Sequence, residues 1–271
     1  MDRKGFSLIE MLVVISVIGL LMAVFLPALT SARSSARGMV CKSNLRQLCL
    51  ANAGYAVEND GYYVPAAPDI NSSRGGKYRW HGFRDSPDEP FDPSKGPLAG
   101  YLADGKIKEC PERIDFLKGQ DWNTNFEQGC GGYGYNHVYL GSRNWQHRQF
   151  KTLQEMQRAG WQTAKAAQVR HPGETLMFAD TAISNRKPYL IEYSFAEPPF
   201  AVYNGEIVSG IYLSPSIHFR HKDRTSVGWA DGHTDSQPIA DFDALNVYGV
   251  ASADMNLGWF EPVDNTPFDL D

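Results

Sequence analysis

Arg3-Lys4-Gly5-Phe6-Ser7-Leu8-Ile9-Glu10-Met11-Leu12-Val13-Val14-Ile15-Ser16-Val17-Ile18-Gly19-Leu20-Leu21-Met22-Ala23-Val24-Phe25-Leu26-Pro27-Ala28-Leu29 is the stretch whose reading decides the fold. Two basic residues and a glycine precede an almost unbroken apolar run. At about 1.5 Å of rise per residue, a helix over that run crosses a hydrocarbon core of roughly 30 Å. Lipid offers the backbone no hydrogen-bond partners, so a helix is the conformation the run requires there. Arg3 and Lys4 hold their end on the cytoplasmic side, which sends the chain beyond Leu29 outward.

Glu10 interrupts this pattern. A carboxylate one turn inside an apolar helix is costly, and such residues commonly have a partner and a task. The plainer reading is a side chain that snorkels to the headgroups. A secretory signal sequence is the competing account of the whole segment, with Ala28 and Ala32 standing where a small-x-small cleavage site would be. A glutamate at the front of the apolar run is foreign to that account.

Lys4-Gly5 followed by Phe6-Ser7-Leu8-Ile9-Glu10 resembles the N-terminus of type IV prepilins and type II secretion pseudopilins. The resemblance implies cleavage between Gly5 and Phe6 by a prepilin peptidase, and methylation of the new Phe6 amine. It also implies that Glu10 pairs with the Phe6 amine of a neighbouring subunit and sets axial register. Physical chemistry agrees with that pairing, since each buried charge is the cheapest remedy for the other.

The 271 residues suffice for such a helix and one globular unit of roughly 200 residues. A net charge of −5, with no basic face, excludes a nucleic-acid footprint. Beyond the apolar run, Cys41, Leu45, Leu48, Asn52 and Tyr55 recur on one helical face, and Asn59-Asp60-Gly61 supplies a stop. A single helix from Phe6 to this stop is about 80 Å long. Pro27 falls inside it and is expected to kink it. The expected organisation is a leader at 1–5, a membrane half at 6–29, a soluble helical half at 30–60 and an extracytoplasmic head at 61–271.

Within the head, Pro, Gly, Ser and Asp dominate from Pro65 to about Gly100, which reads as surface loop with Trp80 and Phe83 as anchors. Thr175 to Asp180 reads as a buried strand, and Glu192 to Phe195 and Ile207 to Leu213 as weaker ones. Tyr133 and Tyr135, set among glycines, are expected to pack on the helix. Thr225 to Ala230 and His233 to Gln237 form a hairpin, with Asp231-Gly232 suited to a type I′ turn. His221, nine residues, then Asp231-Gly232 resembles the His-x9-Asp-Gly element of a prepilin-associated family with the same N-terminus. That element, spanning 218–237, has His221 hydrogen-bonded near the turn as its expected structural role. The implied fold is α+β and pilin-like: one long N-terminal helix packed on a small antiparallel sheet.

Four cysteines occur. Cys41 and Cys49 on one helix are about 12 Å apart, too far to bond. Cys110 and Cys130 lie in loop contexts and are the pair expected to close a disulfide in an oxidising compartment. No Cys-x-x-Cys pair marks a metal site, and no catalytic motif is present. His221, Asp231 and His233 are the weak candidates for a metal, and structure is favoured over chemistry there. No cofactor is expected. Related pseudopilins hold calcium in a C-terminal loop, for which Asp241, Asp243, Asp254 and Asp264 offer oxygens here, without the order of a dedicated loop.

The expected role is therefore a structural subunit, not an enzyme, polymerising into a type II secretion pseudopilus or type IV pilus-like filament. Its implied partners are the prepilin peptidase, the inner-membrane assembly platform, other pilin-like subunits and membrane lipid. Its place is the bacterial inner membrane, single-pass, with the head periplasmic. The alternative of another class is a membrane-anchored extracytoplasmic metal-dependent enzyme or glycan-binding domain.

Overall fold

A computed structural model describes residues 8–112, 114, 116, 127–143, 152–184, 189–242, 244–246 and 248–271. The expected cleavage and methylation positions, Gly5 and Phe6, lie outside the described residues, as does Asp243.

Helix α1 spans Leu8–Glu58 as one continuous helix with Pro27 inside it. Thr30 Oγ1, in the turn after the proline, donates to the Pro27 carbonyl at 2.8 Å. The helix has two unlike halves. Apolar residues from Leu8 to Leu29 are exposed, with Leu8 at 89% and Leu20 at 69%, whereas Cys41, Leu45, Leu48, Cys49, Ala51, Asn52 and Ala56 are buried. The buried set follows the helical face read from the sequence. The end is a left-handed stop: Gly61, at φ 83°, donates its amide to Ala56 O at 2.9 Å.

The head is assembled from short strands: β1 (Tyr78–Arg79), β2 (Gly82–Phe83), β3 (Tyr133–Tyr135), then helix α2 (Leu153–Gly160). There follow β4 (Leu176–Asp180), β5 (Ile183–Ser184), β6 (Leu190–Ile191), β7 (Phe200–Tyr203), β8 (Glu206–Tyr212), β9 (Ile217–His218), β10 (Arg224–Trp229), β11 (Thr234–Pro238) and β12 (Leu257–Gly258). The principal sheet is antiparallel, in the order β11-β10-β4-β3, and smaller two-stranded pairs surround it. Every residue of β4 is buried, because α1 covers one face of the sheet and the Trp229, Trp259, Phe260 and Phe268 cluster covers the other. A strand covered on both faces reads as a continuous apolar run, as Leu176-Met177-Phe178-Ala179 does.

The sheet lies close against the helix. A Cβ placed on Gly228 in β10 would stand 2.7 Å from Cys49 Sγ, so glycine is what permits the approach. Asn52, fully buried on α1, accepts the Val64 amide through Oδ1 at 2.9 Å and donates to Met177 Sδ at 3.5 Å. Tyr133 and Tyr135 do pack under α1, in a strand, with Asn44 Nδ2 donating to Tyr133 OH at 3.1 Å.

Three expectations are corrected here. The Pro65 to Gly100 stretch is more than a surface loop with isolated anchors: Trp80 is buried as an anchor should be, but the polar Arg79, His81 and Arg84 beside it are buried as well. Arg79 is held there by Glu127, with Nη2–Oε1 at 2.7 Å and Nε–Oε2 at 2.8 Å, and Ser194 Oγ donates to the same carboxylate at 2.5 Å. Buried charge is tolerated only when paired in this manner. Glu192 to Phe195 is no strand: β6 ends before it, at Ile191, and Phe195 makes an isolated bridge to Tyr135. The β10–β11 connection is not type I′ either, since Gly232 alone is left-handed, at φ 88°. Gly232 donates to Trp229 O at 2.9 Å and Trp229 to His233 O at 3.0 Å, the pattern of a three-residue loop ending in a glycine bulge.

Candidate functional site

Two regions of the chain carry chemistry. The first is the exposed half of α1, which among the described residues is the one helix long and apolar enough to cross a membrane. Glu10 sits exposed in its first described turn, followed by Met11, Leu12, Val13, Val14 and Ile15, all exposed. Exposed apolar side chains of this size each forgo about 1.5–3 kcal/mol of burial in water. A contiguous sleeve of them demands lipid or other helices.

The second lies where α1 becomes buried. Cys41, on the helix, meets Cys110 from the loop before β3, Asp180 from the end of β4 and His221 from the turn before β10. The four candidate donor atoms lie within 4.8 Å of one another. Cys41 Sγ donates to Asp180 Oδ1 at 3.1 Å, His221 Nε2 is 3.2 Å from Asp180 Oδ2, and Cys110 Sγ is 3.6 Å from His221 Nε2. Asp180 Oδ2 also accepts the Ser226 amide at 2.9 Å, and Arg220 Nη1 stands 3.9 Å from Oδ1.

The electrostatics follow from this packing. Burial opposes ionisation of Asp180, but Arg220 and His221 outweigh it and hold the carboxyl at about 2. The Cys41 hydrogen bond, with His221 assisting, brings the Cys110 thiol down to about 6, against its burial. His221, though largely buried, is raised to about 9 by Asp180 and Cys110. Burial first, then Cys110 and Asp180, push the Cys41 thiol well above its ordinary value.

This arrangement corrects several sequence expectations. All four cysteines are free, and Cys110 turns toward Cys41, not Cys130. The Cys110 amide donates to Gly131 O at 2.9 Å, so the backbones are neighbours while the side chains diverge: Cys130 is buried in the core and Cys110 meets His221. His221 is not hydrogen-bonded near Asp231-Gly232, because the turn's own glycine and amides close it. Asp231 instead takes His233 as partner, with Nδ1 at 2.7 Å and the His233 amide at 2.9 Å from Oδ1, on an exposed surface. His221, Asp231 and His233 are therefore not one site. Among the described residues, Asp241, Asp254 and Asp264 form no donor group. Cys41 and Cys110 are not legible as partners of His221 along the chain because they come from separate segments, whereas Asp180, at a strand end, is of the residue type such a site uses. The signal was there in fragments: Cys41 on the buried helical face, Cys110 before a proline, Asp180 ending the one strongly apolar strand.

A long N-terminal helix, apolar and exposed for one half and packed on a small antiparallel head for the other, is a pilin-like α+β architecture. Residues 1–26 match the family described as the prokaryotic N-terminal methylation motif. The chain is also similar to the type IV wide pilus major component PilA4 of Thermus thermophilus, 39% identical over 61 residues, which is 22% of this chain and 47% of that protein. The chain thus spans about half the length of this curated relative. No solved structure matches. The N-terminal motif and the similarity to a type IV pilus component thus accompany a pilin-like architecture, in which the apolar half of the long helix has the length and composition to cross a membrane.

Proposed function

We propose that the chain is a structural subunit that polymerises into a type II secretion pseudopilus or a type IV pilus-like filament. The carrying observation is the division of α1 into an exposed apolar half and a half seated in the head. The apolar half resides in the inner membrane before assembly, with its N-terminus cytoplasmic and the head periplasmic. Prepilin peptidase cuts between Gly5 and Phe6, and the new amine is methylated. On assembly the apolar halves exchange lipid for one another, a transfer with little net hydrophobic drive. The Glu10 carboxylate and the Phe6 amine of a neighbour then supply what packing lacks, a charge pair with one axial register. The inner-membrane assembly platform and other pilin-like subunits are the partners this process requires.

The test is intact-mass analysis of the full chain, expressed with and without a prepilin peptidase. A product lacking residues 1–5 and carrying one N-methyl group on Phe6 is expected. An uncut chain, or one cut beyond the apolar run, overturns the reading. Glu10→Ala is expected to abolish assembly while the head stays folded.

A further inference from the structure

We propose that Cys41, Cys110, Asp180 and His221 form a structural zinc site that clamps α1 to the head where the helix leaves it. Two thiolates, an imidazole and a carboxylate suit a borderline-soft, tetrahedral divalent ion. Zinc bonds of about 2.3 Å to sulfur and about 2.0–2.2 Å to nitrogen or oxygen give ligand-to-ligand edges of roughly 3.2–3.8 Å. One donor atom from each of the four residues lies within 4.8 Å of the others, a set slightly more open than a metal-bound one, with Cys110 Sγ 3.6 Å from His221 Nε2 and the two Asp180 oxygens 3.1 Å from Cys41 Sγ and 3.2 Å from His221 Nε2.

The surroundings have the form such a site needs. His221 presents Nε2 to the cluster, while its buried Nδ1 faces Glu112 Oε2 at 3.8 Å, neither atom having a hydrogen bond, so a slight approach of the two would form the carboxylate–histidine pair that fixes a metal-bound ring. Glu112 is held in turn by Arg37 of α1, Nη1 to Oε1 at 3.1 Å. Asp180 is oriented by the Ser226 amide. Zinc with two thiolates and one carboxylate carries a net charge of −1, and Arg220 beside Asp180 offsets it. Gly38, one turn before Cys41, lies under the His221 ring, whose Nδ1 would make ordinary contact at 3.7 Å with a Cβ there. Cys110, half-buried, lines a cavity of about 210 Å³ with Pro111, Glu112 and Phe116, a path by which an ion reaches the thiol.

As zinc binds it displaces the Cys41 thiol proton and the His221 Nε2 proton, and takes Cys110 as the thiolate, releasing its proton where it still carries one. With four protein ligands and no open position, the site is structural, not catalytic. Its ligands come from four segments that only folding brings together, so binding stabilises the folded head and its seat on the helix. The rival fate of these residues is a Cys41–Cys110 disulfide, which an oxidising compartment permits. That bond would leave the convergence of Asp180 and His221 on the same point without purpose.

The test uses the full chain in detergent, purified without chelator and, separately, loaded with Co²⁺. About one zinc per chain is expected, with the thiolate charge-transfer and intense visible bands of tetrahedral cobalt. Cys110→Ser and His221→Gln are expected to lose the cobalt spectrum and most of the zinc, while Cys130→Ser and His233→Gln keep both. Should the variants fail to fold, the cobalt spectrum of the unmodified chain decides alone. A reduced chain that gives no tetrahedral spectrum, a Cys41–Cys110 disulfide in a non-reducing peptide map of the natively exported protein, or undiminished zinc in folded Cys110→Ser and His221→Gln overturns the proposal. None of these readouts depends on filament assembly.

Discussion

Substituting Gly228 by alanine probes the seat of the head on the helix at its tightest point. The new methyl would stand 2.7 Å from Cys49 Sγ, nearly an ångström inside contact, while its next neighbours, Leu45 Cβ and Leu45 O, are at ordinary distances of 3.5 and 3.6 Å. Cys49 is 1% exposed, and β10 is pinned on both sides, by β11 and β4. Overpacking of this kind costs about 1–3 kcal/mol, against a gain of about 0.5–1 kcal/mol from stiffening the unfolded chain. Gly228→Ala is therefore expected to destabilise the head by about 0.5–2 kcal/mol. Cys49→Ala, which removes one buried sulfur, is expected to cost about 1 kcal/mol. In the double variant the methyl occupies the space the sulfur vacated, so the costs do not add: a coupling of about 1–2 kcal/mol is expected, well above the few tenths typical of independent sites. The assay is urea unfolding of the full chain in detergent, followed by the fluorescence of the buried Trp80, Trp229 and Trp259. Additivity within about 0.5 kcal/mol would show that β10 does not lie directly on Cys49 and refute the reasoning.

The buried Arg79–Glu127 pair gives two further expectations. Glu127→Ala strands the Arg79 guanidinium and should cost about 3–5 kcal/mol, whereas Arg79→Met combined with Glu127→Leu should be far milder, as the unfolding midpoints of the three chains will report. Acid should also weaken the head. Arg79, overriding burial, holds Glu127 at about 2, so its stabilisation, on the order of 3 kcal/mol, is complete above the unfolded value near 4.3 and is lost as pH falls toward 2. His81, which faces Glu127, Arg79 and Arg84, is lowered by burial, so from about pH 6.5 downward the unfolded chain binds the extra proton and stability falls again. Midpoints that rise as pH drops from about 6 to about 4 would contradict the His81 assignment, and midpoints that rise from about 4 to about 2 the Glu127 one.

The long helix was legible because its signals are local. The apolar run, the face through Cys41, Leu45, Leu48 and Asn52, and the Asp60-Gly61 stop each lie within a few turns of chain, and β4 declares itself by being apolar on both faces. What escaped notice depends on distant partners. Arg79 and His81 sit in a Gly-, Pro- and Ser-rich stretch that reads as surface, and the carboxylate that makes their burial affordable is 48 residues on from Arg79. The His-x9-Asp-Gly spacing pointed to His221 correctly but to the wrong neighbour. Asp180, 139 residues from Cys41, takes that place through sheet register, which no spacing along the chain encodes.

The location of the polar cluster bears on how such a subunit can work. Up to Val40 the described part of α1 makes mostly no core contact; from Cys41 on it is the spine of the head. Between these regimes the head touches the helix through polar groups: Lys222 Nζ donates to Ser31 Oγ at 2.9 Å, Arg37 pairs with Glu112, and His221 packs over Gly38. An apolar junction there would extend the greasy sleeve and let the head slide toward lipid or toward neighbouring helices. Polar contacts are satisfied at a wet boundary and lose their worth if buried unpaired, so they mark how far the head may descend. A convergence of Cys41, Cys110, Asp180 and His221 at that boundary joins the helix and the head at one more point, which adds to the fixed junction that the proposed filament subunit would need.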